Sequence, residues 1–380
     1  MSVMEASLDA EKQNPPFDIA SCLSGVGRRA GKNPGSQAMD IAKLAFGFGR
    51  LTAREYYAFR LYEDEAYSFE DKQRFIGKRT QDRILTQAVP LDWWSVAHDK
   101  LVFYGLAAGL GFRVPRLQAL YHPYRRFGQT PVLRDRDALK RFLRSEASYP
   151  FFGKPVKGMF SVAVASATRY EPDSDQILLS DQGWVGVESL AAQLGPYLKE
   201  GYLFQERLQP HEQLREICGD HLSTVRMMLL VEDDGPSVLH SLWKIPAGDN
   251  IADNFWRPGN LLASLDADSG RVRRVIQGTG LDQVECETHP DSGRPLLGTT
   301  LPDWPKLKAL CLAGAASLPG LTMQAWDIAL CPEGPLMVEV NIGGDFNLPQ
   351  LATGRGLLDG AFADFLARRK LGPKRGGRFG

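Results

Sequence analysis

The chain has 380 residues, with 45 Lys and Arg against 45 Asp and Glu, so its formal net charge is zero and gives no overall pull toward nucleic acid. With 43% hydrophobic and 24% charged residues it reads as a soluble globular protein, long enough for two or three subdomains around a large core. Its five cysteines (Cys22, Cys218, Cys286, Cys311, Cys331) have no paired spacing, which argues against a zinc site or a disulfide framework and fits a reducing compartment.

In chain order, the first segment, MSVMEASLDAEKQ, is charged where a signal peptide is apolar. No run reaches membrane-spanning length, so the expected location is the cytoplasm. Residues 1–38, punctuated by Gly and Pro as in GRRAGKNPGSQ, are expected to form a flexible tail. From Asp40 to Thr86 the pattern is amphipathic and helical, as in LTAREYYAFRLY, and SFEDKQRF opens on a Ser N-cap with an acid in the first turn. A helical N-terminal region is therefore assigned to residues 39–94, with Trp93 and Trp94 as packing anchors. A helix from about Asp99 to Gly109 or Gly111 then leads into a strand, and helices and short strands alternate to the end. The class is α+β with sizeable mixed sheets. The end, RRKLGPKRGGRFG, is basic and Gly-rich, and residues 369–380 are expected as a second tail.

Three stretches carry chemistry. FFGKPVKGMFSVAVA reads as strand, tight loop, strand: Lys154 closes the first strand, Pro155 and Gly158 bend the chain, and Ser161 starts the next run. A lysine leaving a strand beside a loop with a hydroxyl and free N–H groups suits phosphate, and a partly exposed hairpin lysine is the plain alternative. GYLFQERLQPHEQL is a short apolar strand followed by a polar linker, whose Gln205, Leu208 and Glu212 offer handles for an adenine and its ribose. A surface turn would look similar.

The third stretch is AWDIALCPEGPLMVEVNIGGDFN. Its two apolar runs read as a hairpin, and matching their faces through a five-residue loop, Cys331 to Pro335, sets Asp327 opposite Glu339 with Asn341 on the same face. Paired carboxylates on one face repel unless one is protonated or a cation sits between them. Oxygen donors without His or Cys suit Mg2+, whereas an exposed edge hairpin would leave the acids solvated. Beyond Gly343 and Gly344, Asp345 and Asn347 either face an acceptor substrate or cap the next helix.

The ordered set DKL before a helix, KP with a following Ser, QERL with a following Glu, WDIAL and EVN resembles the ATP-grasp superfamily. With STVRMM, ADNFWRPGN, LDADSGRV and THPDSGRPLLGTTLPDW, it is more similar to the sugar-transfer associated ATP-grasp family, over roughly residues 95 to 360. The resemblance implies an ATP-grasp fold of two α+β subdomains clamping ATP, at 95–208 with the phosphate loop and 209–368 with the metal site. It makes Lys100, Lys154, Gly158 and Ser161 phosphate-binding, and gives Gln205, Glu206, Leu208 and Glu212 to the base and ribose. Asp327, Glu339 and Asn341 become ligands of two Mg2+ ions, beside which Asp345 and Asn347 keep the two readings given above. Arg226 and Lys244 are charge stabilisers at the same site or strand-edge cations paired with surface acids, and Asn254 and Arg257 bind phosphate or the acid substrate or shape a Gly loop.

The implied chemistry is activation of a carboxylate as an acylphosphate and its capture by an amine or other nucleophile, the acceptor being a small molecule or sugar-linked, with a homodimer left open. A kinase acting on a hydroxyl and a nucleotide-binding module without turnover are the alternatives. No GxSxG elbow and no Cys/His pair competes with this reading, and of the six histidines His211, beside the linker, is the one singled out.

Overall fold

The computed structural model describes residues 17–158 and 163–373. Two seven-stranded sheets organise them. The first runs β2-β1-β7-β3-β4-β5-β6, from β1 (Leu117–Tyr121), β2 (Val132–Leu133), β3 (Phe151–Pro155), β4 (Ala165–Glu171), β5 (Gln176–Leu179), β6 (Gly183–Gly186) and β7 (Tyr202–Glu206). Its neighbours are antiparallel except β1 and β2. Alternation in YLFQE explains its two faces: Tyr202 and Phe204 join Phe151 in a core closed by the helices Arg136–Arg141 and Val187–Leu194. Leu203 turns the other way, onto Leu101 of the helix Lys100–Gly109.

The second sheet is antiparallel throughout, in the order β12-β11-β10-β9-β8-β13-β14. Its strands are β8 (Thr224–Glu232), β9 (Gly235–Ile245), β10 (Leu261–Leu265), β11 (Val272–Gln277), β12 (Val284–Glu285), β13 (Met323–Cys331) and β14 (Gly334–Ile342). Val225, Met227, Trp243, Trp326 and Ile328 pack with Leu307, Cys311 and Ala315 of the helix Trp304–Ser317. The pairings Asp327 with Arg226 and with Glu339, and Arg226 with Leu242, leave the charged side chains on the opposite face.

The hairpin of β13 and β14 differs from expectation in its turn. Cys331 pairs with Gly334, so the turn is two residues and Pro335 lies in the edge strand, where its missing N–H costs no ladder bond. A bulge between the Asp327 and Ile328 pairings absorbs Val338. The shorter turn and the extra strand residue cancel, and Asp327 still pairs with Glu339.

The N-terminal region forms the helices Ile19–Ala30, Pro34–Phe46, Ala53–Ala58, Phe69–Gln73 and Lys78–Ala88. The first lies inside the stretch expected to be a tail; Asp18 caps it and Val26 is buried. Capping boxes at Thr52 with Glu55 and at Ser68 with Asp71 start the two short helices. Of the tails expected at 1–38 and 369–380, residues 1–16 and 374–380 lie outside the described residues. Among the described residues no helix is long and apolar enough to cross a membrane.

This helical layer covers part of the charged face, since Tyr56, Leu44 and Leu51 share a core with Leu242, Leu262, Leu348 and Leu351. It also holds the segment following β14. Gln81 donates to the Gly344 carbonyl (3.1 Å) and accepts from the Phe346 N–H (3.0 Å). Gln350 accepts from the Ile76 N–H (2.8 Å) and the Leu357 N–H (3.3 Å) and donates to the Ile76 carbonyl (2.9 Å). Gln350→Ala would strand these buried backbone groups and is expected to cost about 2–4 kcal/mol in urea unfolding. A loss under about 0.5 kcal/mol, within the range of ordinary surface changes, would show that the clamp is not structural.

Candidate functional site

Two lysines meet between the sheets. Asp99 accepts from the N–H groups of Leu101 (3.0 Å) and Val102 (3.2 Å), starting the helix, and Arg125 grips the same carboxylate at 2.6 and 2.8 Å. That fixes Lys100, whose Nζ donates to the Gly158 carbonyl at 3.1 Å. Lys154, on β3, was expected to be partly exposed; it is only 7% exposed, with its ammonium 5.5 Å from the centre of the Tyr104 ring. The strand continues past it through Pro155, and Gly158 takes a φ of 144° in the loop beyond. Ser161 lies outside the described residues.

Burial lowers the Lys100 pKa, with Glu339 opposing and Lys154 adding to the shift. Burial likewise pushes Lys154 down to about 8 against the pull of Glu339 and Asp327. Among the described residues neither ammonium makes a carboxylate ion pair. Desolvated cations without a counterion at contact distance are a receptor for an anion that comes from outside.

Across the cleft, Arg226 of β8 donates Nε–H and Nη2–H to the two oxygens of Asp327 at 2.7 and 2.6 Å. Lys244 of β9 reaches one of the same oxygens at 3.1 Å. These cations, more than the burial that opposes them, hold the Asp327 carboxyl well below the usual range. The cation that the sequence demanded between the hairpin acids is thus supplied in part by the protein. Glu339 is half-buried, and its neighbour Asn341 donates Nδ2–H to it at 3.3 Å. With Asp327, these give an all-oxygen donor set on one face, the chemistry of a hard divalent cation.

Sequence reasoning missed Asp253. It lies in ADNFWRPGN, beside Asn254, and that adjacency to a residue already singled out was the available signal. One oxygen accepts from the N–H of Thr224 at 2.8 Å and from its hydroxyl, and the other stands 3.5 Å from the Lys244 ammonium. Lys100, Lys154, Arg226 and Lys244 thus share the site with Asp253, Asp327, Glu339 and Asp345.

The loop after β9 brings Asn254 to the Trp256 N–H (3.2 Å), and the Trp256 indole donates to Asp345 at 3.0 Å. Asp345 also accepts from the Asn347 N–H at 3.0 Å, ahead of Phe346, the N-cap of the helix Asn347–Thr353. The buried Oδ1 of Asn347 has no partner among the described residues. Arg257 donates its N–H to the Asn254 carbonyl at 3.0 Å, closing the turn. Gly343 and Gly344 have positive φ, and a Cβ on Gly344 would stand 2.8 Å from that of Ala325, so this turn can lie close under the sheet only without side chains.

At the end of β7, Gln205 is buried and accepts from the Tyr104 hydroxyl at 3.2 Å. Glu206 accepts from the Arg116 N–H at 3.0 Å and borders a cleft of about 480 Å³ with Tyr104, Phe112, Leu117, Phe127 and Leu336. Leu208 packs with Ala329, Cys331 and Leu336. Glu212 is exposed in the first turn of the helix Glu212–Cys218, which His211 caps by accepting from the Gln213 N–H at 3.2 Å.

The model of the family described as Sugar-transfer associated ATP-grasp matches residues 82–362. No curated protein matches the chain. Solved structures similar to it include D-alanine-D-alanine ligase from Helicobacter pylori, at 11% identity over 73% of this chain and 62% of that one, with a TM-score of 0.41. D-alanine-D-alanine ligase from Coxiella burnetii has 11% identity over 74% and 61%, with a TM-score of 0.39. The ADP complex of N5-carboxyaminoimidazole ribonucleotide synthetase has 12% identity over 66% and 47%, with a TM-score of 0.37. The chain spans less than two thirds of the length of each.

Proposed function

Since the chain belongs to the sugar-transfer associated ATP-grasp family, we propose that it is an ATP-dependent ligase joining a carboxylate to an amine or related nucleophile through an acylphosphate. The supporting observation is the pair of desolvated, unneutralised ammonium groups, Lys100 and Lys154, facing an oxygen donor set on the second sheet.

In this reading Lys100 and Lys154 bind the triphosphate beside Gly158, and Ser161, outside the described residues, keeps the phosphate role that the resemblance gives it. Gln205, Glu206, Leu208 and Glu212 receive the base and ribose next to the cleft at the end of β7. Asp327, Glu339 and Asn341 would hold Mg2+, which supplies charge neutralisation for the phosphates. The substrate carboxylate attacks the γ-phosphorus and ADP leaves; the nucleophile then displaces phosphate and gives up its proton. Arg226 and Lys244 offset the charge gathered on the transferring oxygens, while Asn254, Arg257, Asp345 and Asn347 line the substrate side. The protein needs no nucleophile of its own. The site works by orientation and by fixed charge in a place poor in water.

The test is product identity. With ATP, Mg2+ and a panel of carboxylate and amine pairs, including amino sugars and uronic acids, ADP and inorganic phosphate are expected to appear together only when both partners are present. A phosphorylated metabolite in place of free phosphate would make the protein a kinase, and binding without either product would make it a nucleotide module.

A further inference from the structure

Asp253 has no part in the reading above, yet it is buried in the centre of the site. Its side chain is 14% exposed and that of Lys244 is 9% exposed. The Lys244 ammonium stands between two carboxylates, 3.1 Å from Asp327 and 3.5 Å from Asp253. The two seats are not equivalent. Asp327 is already gripped through both oxygens by Arg226, whereas Asp253 spends one oxygen on Thr224 and turns the other to Lys244. Burial raises the Asp253 carboxyl, and Lys244 is the principal charge opposing that shift.

We propose that Asp253 is a positioning residue that takes the Lys244 ammonium from Asp327 when a divalent cation and nucleotide enter the site. The inference rests on the reading of Asp327 as a ligand of that cation. A dication at Asp327 repels an ammonium hydrogen-bonded to the same carboxylate, and in a dry site the repulsion is weakly screened. Without a second anion, Lys244 would have to remain and weaken the metal, or lose its last partner. Asp253 lies within a small displacement of the ammonium and is anchored to the same sheet through Thr224 of β8. Lys244 therefore stays charged and near the transferring oxygens while the Asp327 oxygen it shares with Arg226 loses one of its two cations.

The competing role is plain anchoring, in which Asp253 only ties the loop after β9 to Thr224. The two separate in a double-mutant cycle read by Mn2+ binding, measured by electron paramagnetic resonance of free Mn2+ with a non-hydrolysable ATP analogue. Asp253→Asn keeps an oxygen for Thr224 and removes the charge offered to Lys244. It is expected to weaken Mn2+ binding about tenfold in the wild-type background and less than twofold in a Lys244→Met background. Asp253→Glu should recover part of the loss. Wild-type Mn2+ affinity in Asp253→Asn, or an equal loss in the Lys244→Met background, overturns the proposal. So does an equal loss in Thr224→Val, which cuts the anchoring hydroxyl and leaves both carboxylates. A wild-type protein that binds the analogue but no Mn2+ overturns the metal reading itself and this proposal with it.

Discussion

Lys154→Met is expected to weaken MgATP binding about a hundredfold, the loss of a charge-assisted contact of roughly 2–3 kcal/mol, while making the ligand-free protein more stable. The second half follows from burial. A lysine at the surface would contribute little either way, but this ammonium is desolvated with no carboxylate at contact distance, and Met fills nearly the same volume without the charge. A gain on the order of 1 kcal/mol in the apo protein is expected. The pH dependence fixes the sign. The folded pKa is about 8 and the ordinary value is 10.5, so between them the unfolded chain holds a proton that the folded chain has lost. Stability from this group therefore rises with pH across that window, and below about 8 the burial penalty is fully present. MgATP affinity moves the other way, falling above pH 8 as the ammonium is lost. Calorimetric titration at several pH values and thermal melts of both proteins test the pair of effects. A variant that is destabilised by several degrees and binds nucleotide normally would make Lys154 a structural residue.

Glu339→Gln is expected to abolish most of the thermal shift that MgATP produces and to lower turnover by about a thousandfold, the scale of removing a fixed charge that meets developing charge. The apo protein should melt close to wild type. The amide has the same shape, Glu339 is half-buried, and its contact with Asn341 is a 3.3 Å bond that an amide oxygen can still accept. Loss of a carboxylate from the donor set is then the change that matters. Equal MgATP shifts in the two proteins, with nucleotide affinity unaltered, would remove Glu339 from the metal face.

Parts of this site were legible in the sequence because they obey local rules. The helix beginning at about Asp99, the Ser68 cap with its first-turn acid, and the face shared by Asp327 and Glu339 all follow from short-range spacing. The partners of Asp327 did not follow, because nothing in STVRMMLL tells which strand lies beside WDIAL, and Arg226 and Lys244 arrive from 101 and 83 positions away. Asp253 was hidden for the same reason. Gln81 and Gln350 show a second limit. As polar amides they carry no local mark of burial, yet both are buried because they serve backbone groups of distant segments. The helix at Ile19–Ala30 was obscured by its Gly and Ser residues, which favour helix weakly and are held there by a cap and by Val26 reaching the core. The right hairpin pairing came from the wrong turn: counting faces fixes only parity, and a short turn with one bulge has the same parity as a longer loop.

That bulge also changes what an edge strand can address. A regular strand speaks to one side only at every second residue, so an apolar contact and an acid aimed the same way must be separated by a residue aimed elsewhere. Here Val338 packs with Leu336 and Leu208 on the side of the sheet where its immediate neighbour Glu339 meets Asp327. An apolar contact and the acid that pairs with Asp327 are thereby one peptide unit apart on one side of the sheet, an adjacency that only the backbone irregularity allows.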